Sequence, residues 1–307
     1  KFKIFKMNIV GSYTAIVTPF KKNLEIDYDG LRENIIFQIE NRVDGVVPCG
    51  TTGEAATLSV EEHEKVIDTV VDEANGKIKV IAGTGSNNTA EAIELTKHAK
   101  DPGADACLLI TPYYNKPTQE GIYQHYKKIS ETIDIPLIPY NIKSRTGINI
   151  DADTTIRLSR TKGIIGVKEA SGDLDQISGI INKLKSGNDK NFTLLSGDDI
   201  LTLPIIALGG KGVISVVSNI VPKEVKTLTD CCLSGNFECA REIHYILLNL
   251  TKAMFIETNP APVKYAMNVL KKSGKSGMNA GNLRLPLVEV SDASKGKIKD
   301  VLKETGL

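Results

Sequence analysis

The sequence carries no surplus of either charge, no long apolar run, no disulfide-like cysteine pattern and no histidine cluster, and each absence excludes a class of function. Lys and Arg number 38 against 37 Asp and Glu in 307 residues, so nothing marks a nucleic-acid or anionic-membrane partner. No apolar stretch approaches the roughly 18 residues of a membrane span. No signal-peptide pattern is read either, and a cytoplasmic location is expected. The five cysteines, Cys49, Cys107, Cys231, Cys232 and Cys239, are an odd set without framework spacing, so no disulfide is expected and a reducing compartment is the simpler reading. Four scattered histidines suggest no metal site. Residues 1–10 read as an N-terminal extension, native or added, because Lys1 to Lys6 stand ahead of Met7.

What is present is alternation. Apolar runs of strand length are read at Tyr13–Pro19, Gly45–Cys49, Lys79–Gly83, Ala106–Thr111, Pro136–Tyr140, Ile164–Glu169, Phe192–Ser196 and Gly212–Val217. Segments of helical period lie between them. Residues 59–75 place Val66, Ile67, Val70, Val71 and Ala74 on one face behind a Ser59–Glu62 capping box, and Asp101-Pro102-Gly103 stops the next helix. Strict βα alternation implies parallel strands, and eight units suit a (β/α)8 TIM barrel over residues 11–235; a doubly wound open sheet is the alternative. From about residue 236 the strand signal stops. Residues 237–256, 260–272 and 294–304 read as helices of a C-terminal helical appendage spanning 236–307.

In a parallel barrel the chemistry sits at the C-terminal strand ends. Lys168 lies in the apolar run Gly163-Ile164-Ile165-Gly166-Val167-Lys168-Glu169. A buried lysine loses its proton readily, and its free amine can attack a carbonyl to form a Schiff base. The plainer reading is a strand-end lysine paired with Glu169 or Asp173. The second strand ends in Gly50-Thr51-Thr52-Gly53-Glu54, whose hydroxyls and N–H groups suit a carboxylate, or simply make a βα turn. Tyr113, Tyr114 and Tyr140 close the fourth and fifth strands and could relay protons, or pack with hydroxyls at the rim. Arg145 could clamp a second carboxylate, or be an ordinary loop arginine. The Gly209-Gly210-Lys211-Gly212 run is expected to be a tight αβ turn at the opposite face rather than a phosphate gripper.

The motifs Gly50-Thr51-Thr52-Gly53-Glu54, Tyr113-Tyr114-Asn115, Tyr140-Asn141, Ser144-Arg145-Thr146-Gly147 and Gly166-Val167-Lys168-Glu169-Ala170, in this order and spacing, resemble the dihydrodipicolinate synthase family, also called 4-hydroxy-tetrahydrodipicolinate synthase. The resemblance runs from about Gly11 to the C-terminus and includes Phe255-Ile256-Glu257-Thr258-Asn259-Pro260 and Leu283-Arg284-Leu285-Pro286. It implies condensation of pyruvate with L-aspartate-4-semialdehyde in diaminopimelate and lysine biosynthesis. It also implies a covalent pyruvate imine on Lys168 with no metal or organic cofactor, and a homotetramer built as a dimer of tight dimers. On this likeness Thr51, Tyr140 and Tyr114 form the proton relay, Tyr114 being supplied across the tight dimer. Thr52 holds the pyruvate carboxylate, Arg145 the semialdehyde carboxylate, and Gly197 and Ile214 line the pocket. His63, Asn87, Glu91 and Tyr113 match an allosteric L-lysine pocket. Ala55 and Val60 stand where lysine-sensitive members often carry polar or aromatic groups, so weak or absent inhibition is expected. Two departures touch the fifth strand: Pro139 directly precedes Tyr140, and Lys143 replaces the proline usual before Ser-Arg-Thr-Gly. Sister aldolases that share the lysine and tyrosine, such as N-acetylneuraminate lyase or 2-keto-3-deoxy sugar acid aldolases, are the alternative activity. A non-catalytic amino-acid-binding protein on the same fold would need a broken lysine or relay, and none is seen.

Overall fold

Eight short strands pair in parallel, each with the next, and the last closes onto the first: β1 (Gly11–Ala15), β2 (Gly45–Val47), β3 (Lys79–Gly83), β4 (Ala106–Ile110), β5 (Leu137–Asn141), β6 (Gly166–Glu169), β7 (Thr193–Ser196) and β8 (Gly212–Ser215). The closed (β/α)8 TIM barrel excludes the open-sheet alternative. The structure is a computed structural model that describes residues 9–187 and 192–307. Around the barrel run α1 (Tyr28–Glu40), α2 (Val60–Ala74), α3 (Thr89–Lys100), α4 (Gln119–Thr132), the one-turn α5 (Lys143–Thr146), α6 (Ala152–Ser159), α7 (Leu174–Ser186), α8 (Thr202–Leu208) and α9 (Pro222–Leu233). Then follow α10 (Phe237–Met254), α11 (Ala261–Lys272) and α12 (Asp292–Glu304).

Local chemistry explains the element ends. The Ser59 hydroxyl accepts from the Glu62 N–H at 3.2 Å, and the Glu62 carboxylate accepts from the Ser59 N–H at 3.0 Å, so the capping box starts α2 as its sequence requires. The first and eighth strands are shorter than their apolar runs, and N–H groups just beyond their ends turn to side chains. Val17 donates to Asn219 Oδ1 at 3.2 Å, and Val216 donates to the Asp199 carboxylate at 2.9 Å. The Gly209–Gly212 run is an αβ turn, with the Gly210 N–H returning to the Ile205 carbonyl at 2.9 Å.

Pro139 reshapes one seam. It offers no N–H to β6. The β5–β6 pairing is therefore broken there: Leu137 pairs with Ile164, whereas Tyr140 pairs with Lys168, so the register shifts by one residue between them. This bulge lets Ile165 and Lys168, three positions apart, share a face. Ile165 and Tyr140 both belong to the barrel interior, with Tyr13, Leu108, Leu195 and Ile214. Pro139 thus leaves Tyr140 inward-facing and level with Lys168.

The C-terminal helices lack a core of their own. Leu250, Met267 and Ile298, from α10, α11 and α12, join Val225 and Leu228 of α9 in one apolar cluster. Contrary to the sequence expectation, Cys231 and Cys239 form a disulfide: the turn between α9 and α10 brings their Cα atoms to 6.0 Å. Cys49, Cys107 and Cys232 are buried free thiols. After α11 the chain returns to the barrel mouth, where the Ala280 carbonyl accepts from the Phe20 N–H at 3.2 Å. Gly281 fits there because a Cβ would lie 1.7 Å from the Phe20 oxygen.

Candidate active site

Lys168 is the penultimate residue of β6, inside the barrel with only 6% of its surface exposed. Its Nζ lies 4.0 Å from the centre of the Tyr140 ring. Burial pulls its ammonium down to about 7; the negative Asp199 works against this and the positive Arg145 with it. Glu169, the neighbour that a structural ion pair would use, faces the opposite side of the strand. Its carboxylate accepts from Asn141 Nδ2, the Ser171 N–H at 2.6 Å and Gln176 Nε2 at 3.3 Å. Asp173 caps α7 instead. Both carboxylates that might have neutralised Lys168 are thus committed elsewhere.

A second buried lysine makes a useful control. Lys264 on α11 is 1% exposed, and its Nζ donates to Glu54 Oε1 at 2.7 Å, the Thr18 carbonyl at 3.0 Å and the Asn282 carbonyl at 2.6 Å. All three ammonium hydrogens are thereby used. Burial lowers this group to about 8 against the pull of Glu54. Lys264 is therefore a satisfied structural cation, whereas Lys168 makes no ion pair among the described residues and is open to reaction.

The Tyr140 phenol is pushed well above its ordinary value by burial, and it shares a hydrogen bond with the Thr51 side chain. It is a protonated donor at neutral pH. Thr52 is 2% exposed and its Oγ1 accepts from Asn259 Nδ2 at 3.0 Å. Asn259 stands in a motif quoted from the sequence but was assigned no role there. Its main-chain carbonyl also accepts from Arg145 Nη2 at 3.1 Å, which seats the exposed arginine over the mouth. Gly197 is required beside the reactive stem, since a Cβ there would come within 2.9 Å of Lys168 Cε. Ile214 is 1% exposed in the barrel interior. Asp199, assigned no role from the sequence, is pushed up to about 6 by burial against hydrogen bonds from Ser215 and Val216. It ties β7 to β8.

The structure separates Tyr114 from this group. It is 90% exposed on a left-handed turn with φ of 70° beyond β4. The other four candidates gather apart from the lysine, beyond the ends of β3 and β4. Asn87 Nδ2 donates to the Tyr113 carbonyl at 3.1 Å, Ser86 donates to Glu91, and burial together with Glu91 raises the Tyr113 phenol. His63 is buried beneath, with Nε2 2.8 Å from the Gly83 carbonyl. Ala55 is half-buried and Val60 exposed. Among the described residues no group of three His, Cys, Asp or Glu is placed to hold a metal ion, and no helix is long and apolar enough to cross a membrane.

Comparison with known proteins agrees with this geometry over almost the whole chain. The model of the dihydrodipicolinate synthetase family matches residues 8–305. The 4-hydroxy-tetrahydrodipicolinate synthase of Methanocaldococcus jannaschii is 56% identical, over 97% of this chain and 99% of its own. The crystal structure of dihydrodipicolinate synthase from Aquifex aeolicus is 50% identical, with a TM-score of 0.92 over 97% of this chain and 99% of that one. The chloride-inhibited Acinetobacter baumannii synthase complexed with pyruvate is 42% identical, with a TM-score of 0.92 over the same shares. Matched almost end to end in sequence and in its closed barrel, the chain belongs to the dihydrodipicolinate synthetase family.

Proposed function

We propose that the chain condenses pyruvate with L-aspartate-4-semialdehyde to 4-hydroxy-tetrahydrodipicolinate, a lyase-type reaction of diaminopimelate and lysine biosynthesis. The observation that carries this reading is Lys168: buried, free of any carboxylate partner, lowered to about 7, and stacked against Tyr140. Its neutral amine adds to the keto carbon of pyruvate. The Tyr140 phenol, bonded to Thr51, hands a proton to the carbinolamine oxygen, which leaves as water. The positive imine then accepts the electron pair released when the methyl carbon loses a proton. The resulting enamine attacks the aldehyde carbon of the acceptor. Thr52 receives the donor carboxylate and Arg145 the acceptor carboxylate, with Gly197 and Ile214 shaping the wall. The covalent imine is the electron sink, and the reading invokes no metal or organic cofactor.

Tyr114 completes the relay from a neighbouring subunit in a homotetramer of paired tight dimers, acting in the cytoplasm. His63, Asn87, Glu91 and Tyr113 are assigned to a regulatory amino-acid site. Ala55 and Val60 leave the side-chain ammonium of L-lysine without polar partners there, and calorimetry with L-lysine should find weak binding.

Borohydride reduction in the presence of pyruvate should label Lys168, read by peptide mass. Lys168→Arg should abolish the label, because guanidinium stays protonated. Undiminished labelling in that variant would refute the assignment.

A further inference from the structure

One side chain touches the donor site without belonging to the relay. Asn259 lies in the turn between α10 and α11 and is 6% exposed. Its Nδ2 donates to Thr52 Oγ1 at 3.0 Å, its carbonyl holds Arg145 Nη2 at 3.1 Å, and its Oδ1 is buried with no partner. A threonine hydroxyl has one hydrogen to give and two lone pairs. With one lone pair occupied by the Asn259 amide, Thr52 keeps its hydrogen for something else. A buried acceptor left unpaired is costly, so the orientation of this amide needs a reason. Reversing it would let Thr52 donate to Oδ1, but would move Nδ2 to the unpartnered position and would consume the hydrogen Thr52 can offer a ligand.

We propose that Asn259 is a positioning residue that directs the Thr52 hydroxyl hydrogen onto the carboxylate of the 2-oxo-acid donor, while its backbone carbonyl independently seats the acceptor clamp. This rests on the pyruvate reading. It assigns two separable functions to one residue: the side-chain amide serves the donor, and the main-chain oxygen, which survives any substitution, serves the acceptor.

A double-mutant cycle tests it on the full-length assembled protein, with active sites counted by pyruvate–borohydride trapping and folding checked by melting temperature. Asn259→Ala and Thr52→Val should each raise the KM for pyruvate about tenfold, as expected for losing a hydrogen bond to a charged group. The value of kcat per trapped site and the KM for the acceptor should change less than about threefold. The double variant should be no worse than about either single one, because both substitutions remove the same directed hydrogen. Asn259→Asp keeps the volume and takes the Thr52 hydrogen for itself, so it should raise the pyruvate KM at least as far if the alanine variant folds poorly. An unchanged pyruvate KM in the Asn259 variants, or effects that multiply in the double variant, would overturn the inference while leaving the enzyme reading intact. Failure of the parent protein to trap pyruvate would overturn both.

Discussion

At the scale of single residues, the two buried lysines show how function and stability oppose each other. Lys264 is surrounded by three oxygens and keeps its charge at modest cost. Lys168 has no such shell, and its fall from 10.5 to about 7 measures the cost of holding an ammonium in the barrel. A drop of about 3.5 corresponds to about 5 kcal/mol. Below about pH 7 the proton is held in both folded and unfolded chains, so the folded state carries the full penalty. Between about 7 and 10.5 the folded chain has released the proton that the unfolded chain retains, and the penalty shrinks as pH rises. Lys168→Met should therefore stabilise the fold by about 2–4 kcal/mol at pH 6 to 7, with the gain fading toward pH 10. Urea unfolding at several pH values measures this. A loss of stability, or a gain that does not vary with pH, would mean that the lysine is solvated or paired.

At the scale of elements, the Thr51-Thr52 loop after β2 is held from a distance. Glu54 follows Thr51-Thr52-Gly53 in a left-handed conformation with φ of 54°, and its carboxylate is pinned by Lys264 Nζ at 2.7 Å and the Arg284 N–H at 3.2 Å. The α11 helix and the segment beyond it thus brace the loop that carries Thr51, the threonine of the proposed relay. Lys264→Met alone should cost about 3–5 kcal/mol, since it leaves a buried carboxylate without its cation. Adding Glu54→Gln should return more than half of that loss in urea unfolding, and a double variant as unstable as the single one would show that the charge pair is not the brace. The same loop marks what could be read from sequence. Periodicity and capping revealed the βα units, the Ser59–Glu62 box and the lysine on an apolar strand, because these signals are local. The partners of the loop are not: Thr52 meets Asn259 across 207 residues, and Glu54 meets Lys264 across 210. Nor does composition distinguish the two buried lysines until the oxygens around each are known. Pro139 was visible as a missing N–H, but its result, a one-residue shift that levels Tyr140 with Lys168, needed the partner strand. The Cys231–Cys239 bond escaped because the sequence was searched for a framework, whereas the bond needs only a helical hairpin.

At the scale of the whole molecule, the proposed relay needs a third hydroxyl that its two buried members do not supply. Thr51 and Tyr140 are linked within the barrel, but Tyr114 is 90% exposed on a left-handed turn. A tyrosine held at positive φ is an uncommon backbone choice, and its exposed hydroxyl is free to be offered to another surface. The relay read here receives it in the partner's active site, which makes the dimer the unit of activity. Tyr114→Phe and Lys168→Ala should each be severely impaired as homo-oligomers, the first for want of a proton relay and the second for want of a nucleophile. In a mixed dimer, the subunit that keeps Lys168 borrows the intact tyrosine of the other and regains a complete site. The other site stays dead. Random re-equilibration of equal amounts should place half of the dimers in the mixed form and restore about a quarter of the parent activity per subunit. The assay must confirm subunit exchange by native mass spectrometry before rates are compared. Exchanged dimers with no recovery would show that each barrel completes its own site, and that Tyr114 serves the subunit contact alone.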